Sequence, residues 1–388
     1  MTVPDQDLTQ RWRQLRELGT VRNLDLMLVY FDEYNMADGF YFSGIWTQFE
    51  RGLVAVSTHS GRAALLTGPE TARYAAVHVP SLPTHILSVF MAAGAGYPNT
   101  RAQDLPDVLA DLSGRASFRI GLVGTASMPV PLHQALSYVA EELVDVSPEI
   151  ERLRQIKSAN EIAAVRQAFH ISEQGLQAAL RSIEAGVTET AVAGAAESAM
   201  RAAGAEGYGY STILATNERS NAVFSRPTNR PIRTGDVVMV GLSPRFQGYC
   251  ASLGIPVPVG PIEAETHEYI ANLLLVYREI ERALAPGIRA QDLYELSRQA
   301  LLRVGLDSYQ LYGAMHSMGL YEAEPPFLSP SAPWHLQPGM VLAIDLAIFH
   351  PRLYGIRFES GYLITDVGAE NLANSFQSIC DHLVERAI

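Results

Sequence analysis

Three ionisable side chains stand inside runs that otherwise read as apolar structure: Asp345 in VLAIDLAIF, Glu359 in YGIRFESGYLI, and His316 in the glycine-punctuated GAMHSMGLYEAEPP. Polar groups buried without partners are costly, so such positions call for a function or a partner. An imidazole with two carboxylates is the chemistry of proton transfer or of a divalent cation. The loop that holds His316 also holds Glu322 and Glu324. Cys250 is a thiol with no histidine at a recognisable spacing, and a free cysteine is ordinarily a small buried hydrophobe. The trio becomes a site only if the fold brings its members together.

The elements that must do this fall into two textures. Up to about residue 150, short β-rich runs (24–30, 51–57, 119–124) alternate with helical spacing such as that from Pro131 to Glu142. This predicts a small α/β domain over 1–150. From 147 to 184 the chain is strongly helical and charged, and a helix follows to about Ala202. Next come a β-rich segment at 211–259, helices at 263–285 and 291–305, and strands at 339–365 with a turn at HPRLYG. Helices packed on one side of mainly antiparallel strands make the second domain, 151–388, α+β.

Composition excludes several classes. The 388 residues are 48% hydrophobic and 18% charged, which is ordinary for a globular chain. No apolar run approaches the roughly 20 residues needed to span a bilayer, so no membrane association is expected. The N-terminal stretch has no apolar signal core, and a cytoplasmic location is expected. The formal charge of −12 argues against nucleic acid. Two cysteines, Cys250 and Cys380, exclude a disulfide framework or a thiolate zinc site.

From about 150 to the end the chain resembles the pita-bread family of methionine aminopeptidase, aminopeptidase P, prolidase and creatinase. The matching stretches are LRQIKSANEI, RPTNRPIRTGDVVMV, GYCASLGIPVPVG, HSMGLYEAEPP, LQPGMVLAIDLAIF and GIRFESGYLITDVGAENL, in the family's order and spacing. GFYFSGIWTQFERGLVAV looks like the smaller N-terminal domain that creatinase, prolidase and aminopeptidase P add. The resemblance implies a pita-bread fold and a hydrolase.

It also implies where metal ligands belong. Family peptidases hold two divalent ions with two Asp, one His and two Glu. Their positions fall on Gly241, Ser252, His316, Asp345 and Glu359, so both aspartates are replaced. The substrate-side His of the family's HxxPT pattern falls on Phe224, and the His of its HEPP pattern falls on Ala323. Four carboxylates in one pocket are tolerable when cations neutralise them. With two gone, a protonated His316 could balance Asp345 and Glu359, and a single ion on His316 and the two carboxylates is the competing arrangement. The expectation is a site without metal or other cofactor.

Creatinase is the family member that works without metal, and HSMG, TNR and PGMV look like it. The resemblance then implies a metal-independent enzyme cleaving a C–N or neighbouring bond of a small nitrogen-containing carboxylic acid. His316 would be the acid/base, with Asp345, Glu359 and Glu324 in the catalytic group. A lyase or decarboxylase reaction stays open. The family's F-x-R pair falls on Phe49 and Arg51, near Trp46, and would reach the carboxylate of a substrate bound by the other chain of a homodimer. Creatinase's own catalytic His falls on Phe224, so creatine itself is not expected. Tyr208, Tyr210, Ser252, Arg226 and Arg357 complete the expected substrate-binding set, the arginines as anion binders. Two alternatives remain: a single-metal Xaa-Pro dipeptidase, and a pita-bread protein that only binds.

Overall fold

The computed structural model describes residues 3–91 and 96–386, and contact density divides it into two compact units, Met1–Leu153 and Arg154–Ile388. In the first, a six-stranded sheet runs in the order Thr84–Ile86, Ala63–Thr67, Gly52–Ser57, Leu26–Phe31, Arg119–Val123, Glu142–Asp145. Its centre mixes antiparallel and parallel pairing, because Leu26–Phe31 pairs antiparallel with Gly52–Ser57 and parallel with Arg119–Val123. Both of those central strands are buried along their length, which explains their near-continuous apolar sequence. Helices Leu105–Ser113 and Val130–Val139 supply Leu109, Leu112, Leu132 and Leu136 to the same core.

The second unit carries a large antiparallel sheet whose main path is Glu324–Phe327, Met315–Ser317, Val341–His350, Tyr354–Ile364, Leu253–Pro258, Val237–Leu242, Ile213–Thr216. Helix Ala264–Ala283 lies on the two longest strands. Tyr269 Oη donates to the carbonyl of Ile348 at 3.1 Å, and the hydroxyls of Tyr277 and Tyr362 are 2.9 Å apart. The mixed helix and antiparallel sheet make this unit α+β, the pita-bread arrangement.

The charged run at 147–184 is not one helix. It breaks between Ser147–Gln155 and Ala159–Ser182, where Lys157 is buried and Ser158 starts the second helix afresh. Ser158 Oγ accepts from the backbone N–H of Glu161, and Glu161 Oε2 accepts from that of Ser158, a reciprocal capping box.

Candidate active site

Strand periodicity assembles the site. In the hairpin Val341–His350/Tyr354–Ile364, Asp345 and Glu359 are direct cross-strand partners, so their side chains share one face. Arg357, two residues before Glu359, shares that face, as alternation requires. His316 pairs with Ala343, two residues before Asp345, and Gly254 pairs with both Glu359 and Gly241. Ser252 precedes Gly254 by two. One face of the sheet therefore carries His316, Asp345, Glu359, Arg357, Ser252 and Gly241, and the five that have a side chain beyond hydrogen are buried.

Arg357 is engaged at every nitrogen. Its Nε is 3.0 Å from Asp345 Oδ1, one terminal nitrogen is 3.5 Å from Glu359 Oε2, and the other donates to Tyr312 Oη at 2.7 Å. The Asp345 contact is an ion pair, and Oδ1 has no hydrogen-bond partner among the described residues. Gly254 makes room for this guanidinium, since a Cβ there would stand 2.9 Å from Arg357 Cδ and 3.1 Å from Glu359 Cβ.

A second cluster joins the first at Glu359. Ser252 Oγ lies 2.5 Å from Glu359 Oε1 and 2.9 Å from Glu322 Oε1. A hydroxyl has one proton to donate, so it cannot satisfy two ionised carboxylates. His316 Nε2 stands 3.6 Å from Glu322 Oε1 and 3.8 Å from Glu359 Oε1. Its Nδ1 is 3.0 Å from the carbonyl oxygen of Ser317, which can only accept, so Nδ1 carries a hydrogen. The cluster is short of positive charge. Burial works against a charged His316, yet its contact with Glu359 and the charges of Glu322 and Asp345 prevail and push it up to about 9. Burial and the charge of Glu359 raise Glu322 to about 7. Burial, opposed by Arg357, raises Asp345 to about 6. For Glu359 burial is outweighed by Arg357 and His316, and its carboxyl is held below the usual range. Tyr210, pushed well above its ordinary value by burial and then by Glu359, remains a neutral hydroxyl 3.5 Å from Ser252 Oγ.

These groups lie at one side of a cavity of about 540 Å³ whose lining includes His316, Glu322, Asp345, Arg357, Tyr312 and Phe224. Of the other residues picked out from sequence, Tyr210 stands beside Ser252, whereas Tyr208 lies in a small separate sheet under the guanidinium of Arg201. Arg226 is exposed, and its carbonyl accepts from Arg219. Glu324, placed in the catalytic group by sequence, is instead buried between Arg154 and Lys157, which explains how a carboxylate is tolerated there. Arg357, expected to bind an anion, has its nitrogens occupied by Asp345, Glu359 and Tyr312. Cys250 is buried and its thiol is pushed up to about 11 by burial, unsuited to a nucleophile. Trp46, Phe49 and Arg51 belong to the first unit. Trp46 packs edge-on against Phe40, Phe49 is 82% exposed at φ 66°, and Arg51 is exposed. Glu322 and Tyr312 are site residues that sequence reasoning did not select. The one signal for Glu322 was its place in the His316 loop.

The profile of Metallopeptidase family M24 matches residues 163–366, more than half of the chain, and that of the Creatinase/Prolidase N-terminal domain matches residues 11–156. The chain belongs to metallopeptidase family M24. It is thereby a hydrolase, as its resemblance implied. It is 28% identical over 256 residues to a Xaa-Pro dipeptidase of Pyrococcus furiosus, spanning 66% of this chain and 74% of that one. A second Xaa-Pro dipeptidase, from Pyrococcus horikoshii, is 29% identical over 235 residues, spanning 61% of this chain and 67% of its own. In fold it matches the prolidase of Pyrococcus horikoshii with a TM-score of 0.80 at 24% identity, covering 94% of this chain and 98% of the other. These relatives overturn the expectation of a metal-independent, creatinase-like enzyme. The family is one of metallopeptidases, and the named relatives are dipeptidases.

The residues present fit one metal ion and not two. The position of the first missing aspartate offers no ligand and is tight: a Cβ on Gly241 would meet Ile213 Cβ at 3.1 Å and Tyr210 Oη at 3.4 Å. Among the described residues, however, His316, Glu322 and Glu359 offer ligand atoms all within 4.8 Å of one another. The separations from His316 Nε2 are close to the edge of about 3.4 Å of a tetrahedron with bonds of about 2.1 Å. The carboxylate lost at Ser252 is thus matched by Glu322, which arrives from the loop after His316.

Proposed function

We propose that this protein is a single-ion hydrolase of an amide C–N bond in a short peptide or peptide-like substrate, with His316, Glu322 and Glu359 holding the ion. The observation that carries the reading is the hydrogen bond from His316 Nδ1 to the Ser317 carbonyl. It keeps the Nδ1 hydrogen in place and turns Nε2 towards Glu322 and Glu359, so that a cation displacing the Nε2 proton would find the usual posture of a ligating histidine. Charge agrees. With His316 neutral, the carboxylates of Asp345, Glu322 and Glu359 against the Arg357 guanidinium leave two negative charges, which one divalent cation balances. A bound divalent cation supplies a Lewis acid and lowers the pKa of water towards 7.

The chain's own residues do the rest. Arg357 locks Glu359 and Asp345 in place from the side away from Glu322. Asp345, which lines the cavity and has Oδ1 turned to Arg357, is the carboxylate beside the ligand set placed to receive a proton from the attacking water. Hydrolysis forms a C–O bond and breaks the C–N bond, and the departing nitrogen takes the proton. Tyr210, a neutral hydroxyl beside Ser252, supports the ligand side chains from behind. The Xaa-Pro dipeptidase names of the relatives support a dipeptide as the first substrate to try.

The test is ion stoichiometry and activity together. Metal-stripped protein titrated with Mn²⁺, Co²⁺ or Zn²⁺ should bind one ion per chain, and Glu322→Gln should abolish tight binding. Hydrolysis of a set of dipeptides, Xaa-Pro included, should vanish with chelator and return with that ion. Binding of two ions, or binding that survives in Glu322→Gln, would refute the assignment.

A further inference from the structure

The cavity above the site is unlike a receptor for a dipeptide acid. Its walls include Val223, Phe224, Leu311, Met315, Phe327 and Leu328. Three of these are large apolar residues left open to solvent around it: Phe224 63%, Leu311 67% and Phe327 51% exposed. Singly such exposure is ordinary; three around one cavity with catalytic groups at its floor mark a binding wall.

Its cations tell the same story. Among the described lining residues the cationic side chains are Arg357 and His316. Arg357 has its nitrogens on Asp345, Glu359 and Tyr312, and His316 has Nδ1 on a carbonyl and Nε2 towards two carboxylates. A substrate carboxylate would meet a guanidinium whose charge is already matched by Asp345 and Glu359, and would face the carboxylates of Glu322 and Asp345. Like charges brought together out of water repel strongly.

The backbone bears this wall under strain. Val223, β-branched, adopts φ 56° and ψ −66°, and the N–H of Phe224 donates to the carbonyl of Ala222 at 2.6 Å. This is a γ-turn of the rare, strained hand, at a residue type that disfavours positive φ. Strain of this kind persists where the surroundings impose it and gathers at binding sites. Here it carries Phe224 to the cavity, with its ring centroid 6.5 Å from that of Tyr210, the tyrosine beside Ser252.

We infer that the pocket selects amides bearing a bulky apolar group and no carboxylate on the bound portion, in preference to free dipeptide acids. The inference rests on the hydrolase reading above and narrows its substrate class. The apolar group lies against Phe224, Leu311 and Phe327 and brings the amide over His316 and Asp345.

Binding separates this from the metal assignment. N-acetyl-phenylalanine amide and N-acetyl-phenylalanine differ at the charge in question, and both can be titrated calorimetrically into metal-stripped and ion-loaded protein. The neutral amide should bind at least about tenfold tighter in either form. Phe224→Ala should weaken it by about tenfold or more while leaving N-acetyl-glycine amide unchanged. Val223→Gly relaxes the γ-turn. It should keep or raise thermal stability yet weaken the aromatic amide, a split that a purely structural role would not produce. Equal or tighter binding of the acid overturns the inference, as does failure of both probes to bind. Acid binding that disappears in Arg51→Ala overturns it too, because the charge would then come from the first unit of this or a second chain. A neutral preference in protein that binds no ion would leave this inference standing and sink the metal reading alone.

Discussion

Ser252 Oγ sits between two carboxylates, 2.5 Å from Glu359 and 2.9 Å from Glu322, where one proton cannot serve both. A cation at these oxygens removes the conflict, and the serine then orients the pair. Ser252→Ala should lower ion affinity by roughly 10–100-fold, the scale of lost outer contacts at metal sites, with little change in fold. Calorimetric titration of the stripped variant measures it. An unchanged affinity would mean that Ser252 does not orient the ligands.

Gly241→Asp should fail to restore a second ion. The new Cβ would press on Ile213 at 3.1 Å, and the carboxylate beyond it would need room beside the hydroxyl of Tyr210, which stands 3.4 Å from that Cβ. Such overpacking costs about 1–3 kcal/mol. Metal analysis should still give one ion per chain, with a lower denaturation midpoint. A second bound ion would show that Ile213 and Tyr210 yield.

Arg357→Met should destabilise the second unit strongly. Its guanidinium is the partner of Asp345 and a contact of Glu359, and removing one side of a buried pair costs about 3–5 kcal/mol. Urea denaturation of the ion-free protein would register the loss. A change under about 1 kcal/mol would indicate that protonation of Asp345 compensates.

Asp236 provides a test of acid stability away from the site. Burial pushes its carboxyl up, but the hydrogen bonds and charge of Arg230 and the N–H of Arg233 prevail and hold it below the usual range. The stability it contributes is therefore fully present above the unfolded pKa of about 3.9 and is lost as pH falls through the folded value. Asp236→Asn should cost about 1.5–3 kcal/mol near neutral pH, as expected for hydrogen bonds to a charged group. The difference from the parent should shrink towards acid. Urea midpoints measured between neutral pH and about pH 3 decide it, and a pH-independent difference would contradict the assignment.

Sequence alone determined which face of the sheet would carry chemistry. Asp345, Arg357 and Glu359 lie in two apolar runs joined by the HPRLYG turn, and a strand's period of two leaves little freedom once the hairpin closes. The replacement of two acidic positions by Gly241 and Ser252 was equally legible, but its consequence was not. Only the tertiary structure shows that Ile213 crowds the first position and that Glu322 supplies a carboxylate beside the second. Glu322, in a loop, and Glu324, at the start of the next strand, are two residues apart, yet they go to different places. Glu324 is drawn to Arg154 and Lys157, some 170 residues away along the chain, while Glu322 turns to Ser252 and His316. Strand alternation is a local rule and can be read from spacing. The direction of a loop side chain is set by long-range ion pairing, which spacing does not encode.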